Sequence, residues 1–164
     1  MTISNEKATP LDYTFLFSCF DKSMKDVLGT MAGFEIREIK EAQKDNKTYK
    51  AEITGAMLLQ GNRNAMLTIS MSLEVSKTIA TYMTGILPED LEDEDLYDCV
   101  AELVNLVAGR TKAQLTQTDY HFQLSPPFTL VGKDHYIVYK NKVNKIYIKY
   151  GATNFELHLE IFYT

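Results

Sequence analysis

The chain has 164 residues, 45% of them hydrophobic and 24% charged, a balance that suits one soluble domain with a sizeable core. Its net charge of −5 argues against nucleic acid, whose binding draws affinity from clustered Lys and Arg. The opening "MTISNEKATP" lacks the apolar core of a signal peptide, and no run approaches the ~20 apolar residues of a membrane span.

Residues 1–10 read as a flexible N-terminal segment of a single domain, 1–164. From Leu11 to Leu28 apolar residues recur at helical spacing, and "LGTMAG" offers Gly29 and Gly33 as stops. "TYKAEITGAMLLQ" and "NAMLTISMS" follow as two strands joined by the turn "GNRN". "LEVSKTIATYMTG" returns to helical period and closes on Gly85. Pro88 suits a first helical turn, and the acidic run after it leads into a helix that continues to about Leu115. The remainder is strand-rich: "DYHFQLS", "PFTLVG", "HYIVYK", "NKIYIKYG" and "NFELHLEIF", with "GKD" and "GATN" as turns between antiparallel neighbours. In the last strand Phe155, Leu157, Leu159 and Ile161 alternate with Glu156, His158 and Glu160, which predicts a half-buried strand. A long helix followed by a strand–turn–strand unit occurs twice. The expected fold is therefore α/β with an α+β character: pseudo-symmetric helix-plus-hairpin repeats, long helices packed on a largely antiparallel sheet.

Cys19 and Cys99 lie far apart within predicted helices, which suits a reducing cytoplasm and implies neither a disulfide framework nor a zinc site. His121, His135 and His158 are dispersed along predicted strands without ligand spacing, so no metal site is expected. "NKT" at Asn46 matches a glycosylation acceptor that a cytoplasmic chain would not use. The acids Glu89, Asp90, Glu92, Asp93, Glu94 and Asp95 read as a solvated segment favouring a helix N-terminus. No Walker loop, dinucleotide fingerprint or serine-nucleophile elbow occurs.

One helix, "LYDCVAELVNLVAGR", has an unusual polar side. At 100° per residue, Leu96, Cys99, Val100, Leu103, Val104, Leu106, Val107 and Leu115 cover more than half the circumference. Burial of such side chains stabilises by roughly 1.5–3 kcal/mol each, which fixes the helix in rotation. The narrow window left over holds Asp98, Glu102, Asn105 and Gly109, with Lys112 at its margin. Glu102 and Asn105, three apart, emerge as neighbours. Gly109 costs about 1 kcal/mol relative to Ala in a helix interior, and a glycine there lets another backbone come close. A glutamate with an asparagine three residues on also occurs on plain solvated faces; the glycine, Asp98 and the breadth of the apolar arc set this one apart.

With those residues in place, the chain resembles the CheC/CheX/FliY phosphatases of bacterial chemotaxis. Their signature is Asp or Ser, three residues, Glu, two residues, Asn, and a proline some twenty residues on; here it reads Asp98-x-x-x-Glu102-x-x-Asn105, with Pro126 and Pro127 opening a strand. "AELVNLVAG" followed by "SPPFTLVG" is most similar to the CheX branch, and the likeness extends over nearly the whole chain. CheC-like members carry the motif twice. On the first helix here, counting from Ser18, the corresponding positions are Lys22 and Lys25, as befits the single-site CheX branch.

The resemblance implies a cytoplasmic protein phosphatase acting on the aspartyl phosphate of a CheY-like response regulator, without a cofactor of its own; Mg²⁺ is expected in the regulator's site. It implies Glu102 and Asn105 as the catalytic pair, Glu102 pairing with the regulator's lysine and Asn105 orienting water. An amide suits that task because it both donates and accepts and does not ionise near neutral pH. Asp98, Gly109 and Lys112 are expected at the partner surface, although Gly109 could instead serve a contact within this chain. CheX members are typically homodimers joined through their sheets, so the resemblance implies a homodimer as well. Two other readings stand beside this one. The first is a non-catalytic CheX-like adaptor that binds a response regulator or flagellar-switch component. The other is a purely structural domain whose helix face pairs with a second copy.

Overall fold

The computed structural model describes residues 9–31, 38–40, 49–140, 142–152 and 155–164. In chain order these form α1 (Tyr13–Met31), β1 (Glu38–Lys40), β2 (Ala51–Gly61), β3 (Ala65–Met71), α2 (Leu73–Thr84), a 3-10 turn at Pro88–Asp90, α3 (Asp93–Leu115), β4 (Phe122–Leu124), β5 (Phe128–His135), β6 (Asn144–Ala152) and β7 (Phe155–Tyr163). The first ten residues' expected flexible segment and the Asn46 acceptor fall largely or wholly outside the described residues, as does Gly33.

The sheet runs β1-β6-β7-β3-β2-β4, with β5 also paired to β2, and every pairing is antiparallel. That order is a palindrome. The hairpin after α1 (β2–β3) and the hairpin after α3 (β6–β7) join through their second strands, and each hairpin's first strand pairs with the strand following the opposite helix. The expected helix-plus-hairpin repeat is thus a pseudo-twofold arrangement about the β3–β7 seam.

Cross-strand register puts Ile53, Met57, Leu67, Ile69, Ile148 and Leu159 on one face, buried against Leu16, Phe20 and Met24 of α1 and Val100, Leu103 and Val104 of α3. Local chemistry sets the helix ends. Ser72 caps α2 by accepting from Val75 N–H, Glu52 of β2 accepts from Leu73 N–H at 2.9 Å, and Gly85 closes the helix in the left-handed region at φ 75°. α1 runs through Gly29 to Met31, so that glycine does not stop it.

The opposite face is where periodicity misleads. "GKD" is no hairpin turn: Gly132–Asp134 continue β5, the irregularity being absorbed as a register shift opposite 51–53 with Asp134 at φ 55°. "HYIVYK" forms no strand beyond His135. The topology explains why. β5 lies beside β2 while β6 must pair with β7 and β1, and the helices occupy one face, so residues 136–140 cross the other. There Tyr139 packs on Phe162 with ring centroids 5.3 Å apart, and Tyr49 stacks on His158 at 3.4 Å. His158, expected on an open face of β7, is consequently only 3% exposed. "DYHFQLS" contributes only the three-residue β4.

Candidate functional site

α3 is fixed at its N-terminus, along its buried side and by polar bonds to other elements. Glu92 and Asp95 form a reciprocal capping box, and Asp93, Glu94 and Asp95 place negative charge in the first turn, where the helix dipole favours it. Leu96, Cys99, Val100, Leu103, Val104, Val107, Ala108, Thr111 and Leu115 are buried; Leu106, counted in the apolar arc from sequence, is half-buried. Where α3 crosses β2, a Cβ on Gly55 would meet the Val100 carbonyl oxygen at 2.7 Å, so only glycine lets the helix lie so close.

Polar tethers fix its rotation. The Thr129 hydroxyl donates to the Tyr97 carbonyl at 3.0 Å, tying α3 to β5. Thr111, buried, donates to Ser23 of α1 at 2.8 Å, and the Gln114 amide donates to the same Ser23 hydroxyl at 2.8 Å. Arg110 reaches the Thr30 hydroxyl at 3.3 Å. None of these partners is visible in the α3 segment itself; each comes from a distant part of the chain, so no local signal in the sequence could have named them.

So held, α3 turns its narrow polar window outward. Asp98 and Glu102 are exposed and Asn105 is half-buried. The Asn105 amide donates to a Glu102 carboxylate oxygen at 3.4 Å, a long and weak hydrogen bond that a better partner can replace. A Cβ on Gly109 would meet nothing within 4 Å, which removes the expectation of a contact within this chain and leaves open surface beside the pair. Lys112 donates to Gln123 of β4 at 2.9 Å and is drawn toward the sheet edge. The structure therefore brings Glu102, Asn105 and Gly109 into one open strip, with Asp98 a turn earlier and Lys112 engaged at the border. The nearby Cys99 thiol is pushed up by burial, and further by Asp95, Asp98 and Glu102, so it stays protonated and unreactive at neutral pH.

Chemically, the strip offers an amide and a carboxylate on a rigid support, with room for another protein. It can orient a small molecule and grip a cation. Among the described residues no group of three or more His, Cys, Asp or Glu is arranged to hold a metal ion, and no helix is long and apolar enough to cross a membrane.

Comparison with known proteins gives consistent matches. The family model described as chemotaxis phosphatase CheX matches residues 53–151. A protein of Thermotoga maritima named CheY-P phosphatase CheX is 26% identical over 104 residues, 63% of this chain and 67% of that one. The crystal structure of a CheC-like superfamily protein from Shewanella sp. PV-4 superposes with a TM-score of 0.77 at 26% identity, covering 91% of this chain and 97% of that one. CheX from Borrelia burgdorferi, crystallised as a CheX–CheY–BeF3–Mg²⁺ complex, gives a TM-score of 0.75 at 21% identity over 94% of this chain and 99% of its own, a likeness of fold.

Proposed function

The chain belongs to the CheX family of chemotaxis proteins, and from that premise we propose that it hydrolyses the aspartyl phosphate of a CheY-like response regulator. The observation that carries the reading is the Glu102–Asn105 pair, adjacent and outward on a helix otherwise sunk into the core. The Thermotoga maritima relative's name, a CheY-P phosphatase, and the Borrelia burgdorferi relative's complex with CheY support the same partner and reaction.

In this mechanism α3 inserts at the regulator's phosphorylated aspartate. An acyl phosphate is already activated, so what the phosphatase adds is chiefly position. The Asn105 carboxamide accepts from a water and holds it in line with the bond to be broken. The water oxygen bonds to phosphorus, the bond from phosphorus to the aspartate oxygen breaks, and inorganic phosphate leaves with the water's protons shared between it and bulk solvent. Glu102 faces a phosphoryl group of like charge and does not serve as the base; its carboxylate docks the regulator's lysine. Asp98 lines the approach, and Gly109 admits the regulator's backbone. The chain supplies no cofactor of its own, Mg²⁺ being the regulator's. On this reading the protein works in the cytoplasm, beside its substrate.

For the second copy expected of a CheX-like protein, the free edge of β5 is the surface we favour. β5 pairs only with β2 among the described residues, and along it Phe128, Leu130 and Val131 are 41%, 43% and 48% exposed. An open, apolar edge of this kind invites pairing with another strand. We assign the homodimer contact to this edge.

The test is the decay of phosphate from a phosphorylated CheY-type regulator of the same cell. Wild type accelerates it, while Asn105→Ala loses about 10²-fold or more of the acceleration with unchanged melting, the range expected when a positioned group is removed. Capture of the regulator with undiminished phosphoryl lifetime would replace this reading with the adaptor. Equal activity of wild type and Asn105→Ala would remove Asn105 from the mechanism.

A further inference from the structure

The palindromic sheet makes α1 the counterpart of α3, and the two helices bury side chains in the same register. Leu16 corresponds to Leu96, Cys19 to Cys99, Met24 to Val104 and Val27 to Val107, all at one constant offset and all buried. In that register the strip Asp98, Glu102, Asn105, Gly109 falls on Ser18, Lys22, Lys25 and Gly29 of α1, and these four are exposed. A glycine ends both strips. Asp98 gives way to Ser18, and in the middle the carboxylate and the amide are replaced by two ammonium groups.

Packing does not require those lysines. Both point away from the core; Lys22 makes no ion pair among the described residues, and Lys25 pairs at 2.8 Å with Asp21 one turn back on its own helix. Asp21 is already employed, accepting from the buried Tyr150 hydroxyl at 3.1 Å. A partner that offers a lysine to Glu102 on α3 would, on α1, bring that lysine against Lys22. Repulsion at the wrong surface is as much a part of specificity as attraction at the right one.

Building on the phosphatase reading above, we propose that α1 is a second docking face in the register of α3, closed to the response regulator by Lys22 and Lys25. These two residues are specificity determinants: they confine the regulator to α3, one regulator per chain.

The experiment converts the strip. Lys22→Glu with Lys25→Asn is introduced into the wild-type chain and into the Asn105→Ala chain. Regulator binding is titrated by calorimetry with a beryllofluoride-activated CheY-type regulator, and phosphate decay is followed in parallel. The expected result is a rise from one regulator to two per chain in the wild-type background. In the Asn105→Ala background, the decay rate should recover by about tenfold or more over Asn105→Ala alone. Glu102→Lys on α3 should abolish binding there, since it imposes on α3 the charge that closes α1. Stoichiometry remaining at one, with Glu102→Lys effective and melting unchanged, would overturn the proposal. The phosphatase reading stands or falls separately, on whether the wild type accelerates decay at all.

Discussion

On the outer side of α3, Asn105 and Glu102 meet at 3.4 Å in the open. On the sheet face opposite the helices, Thr54, Ser70 and His135 meet at 2.7 and 2.8 Å, with Thr54 and Ser70 buried. Both are clusters of residues able to do chemistry, and the sheet cluster is the richer in reactive groups, since it contains a histidine beside two hydroxyls. Yet its hydrogen bonds are already made. His135 is held between Thr54 and the Gly132 carbonyl, and the Thr54 hydroxyl lies between Ser70 and His135, so the row fastens β5, β2 and β3 together. The helix pair, by contrast, has almost nothing invested in its own chain. Polar groups engaged internally hold the fold, and those left unengaged on a rigid support are available to a partner.

If that division is right, Asn105→Ala should cost activity and leave melting alone, and the variant with the largest expected effect on stability should reach both sites. Gly55 lies in β2 directly beneath α3, and its neighbour Thr54 belongs to the buried row. An alanine there would set its Cβ at 2.7 Å from the Val100 carbonyl oxygen, a backbone atom that can yield only if α3 moves. Overpacking of this kind costs about 1–3 kcal/mol. Gly55→Ala should therefore lower the urea midpoint and slow regulator dephosphorylation together. Lost stability with full activity would show that the site tolerates a displaced helix, against the positioning argument.

The sheet face also carries a pH signature that the helix site should not share. Burial pushes His158 down to about 4, with Lys149 and Lys145 adding to the effect and Glu156 opposing it. Tyr147, Tyr49 and Ser70 surround the ring. A histidine lowered from 6.5 is neutral in the folded protein where the unfolded chain would already bind a proton. Stability is therefore complete above about pH 6.5 and falls as pH drops toward 4, by on the order of 2–3 kcal/mol across that window. Glu156, held low by Lys149, adds its own loss only below the usual 4.5. Urea midpoints measured from pH 7 to 4.5 should fall more steeply for wild type than for His158→Gln. Parallel curves would mean the ring is not shielded.

The difference between the two clusters also explains what could be read from the sequence. The α3 strip was legible because a helix obeys one period: eight apolar residues, placed at 100° intervals, leave only one gap for Asp98, Glu102, Asn105 and Gly109. Its support was not, because Gly55, Ser23 and Thr129 come from elsewhere in the chain and a single sequence carries no sign of what they touch. The repeat of helix and hairpin was visible in chain order, whereas its palindromic pairing is a property of the sheet. The errors gather on the opposite face. "GKDHYIVYK" has strand composition, but residues 136–140 are needed to cross the sheet, and tertiary demand overrides β-propensity there. Alternation placed His158 correctly on the other side of β7 from Leu157 and Leu159; that this side is an interior depends on contacts from elsewhere in the chain, Tyr49 and Tyr147 on His158 and Tyr139 on Phe162 among them.

The smallest expected effect gives the sharpest separation of stability from function, because its two readouts should move in opposite directions. Gly109 sits inside α3, where glycine is less favourable than alanine by about 1 kcal/mol, and its Cβ position is empty to 4 Å, so an alanine meets no obstacle. Gly109→Ala should stabilise the chain by about 0.5–1 kcal/mol, which for a domain of this size raises Tm by roughly 1–4 °C. The same methyl group stands in the strip through which a regulator's backbone would approach Asn105, so phosphate decay should slow through weaker regulator binding, read as a higher KM with kcat nearly unchanged. A variant that melts higher and works equally well would show that the docking surface stops short of Gly109. One that melts higher and binds worse would mean the glycine is kept, against the helix's own preference, for the partner.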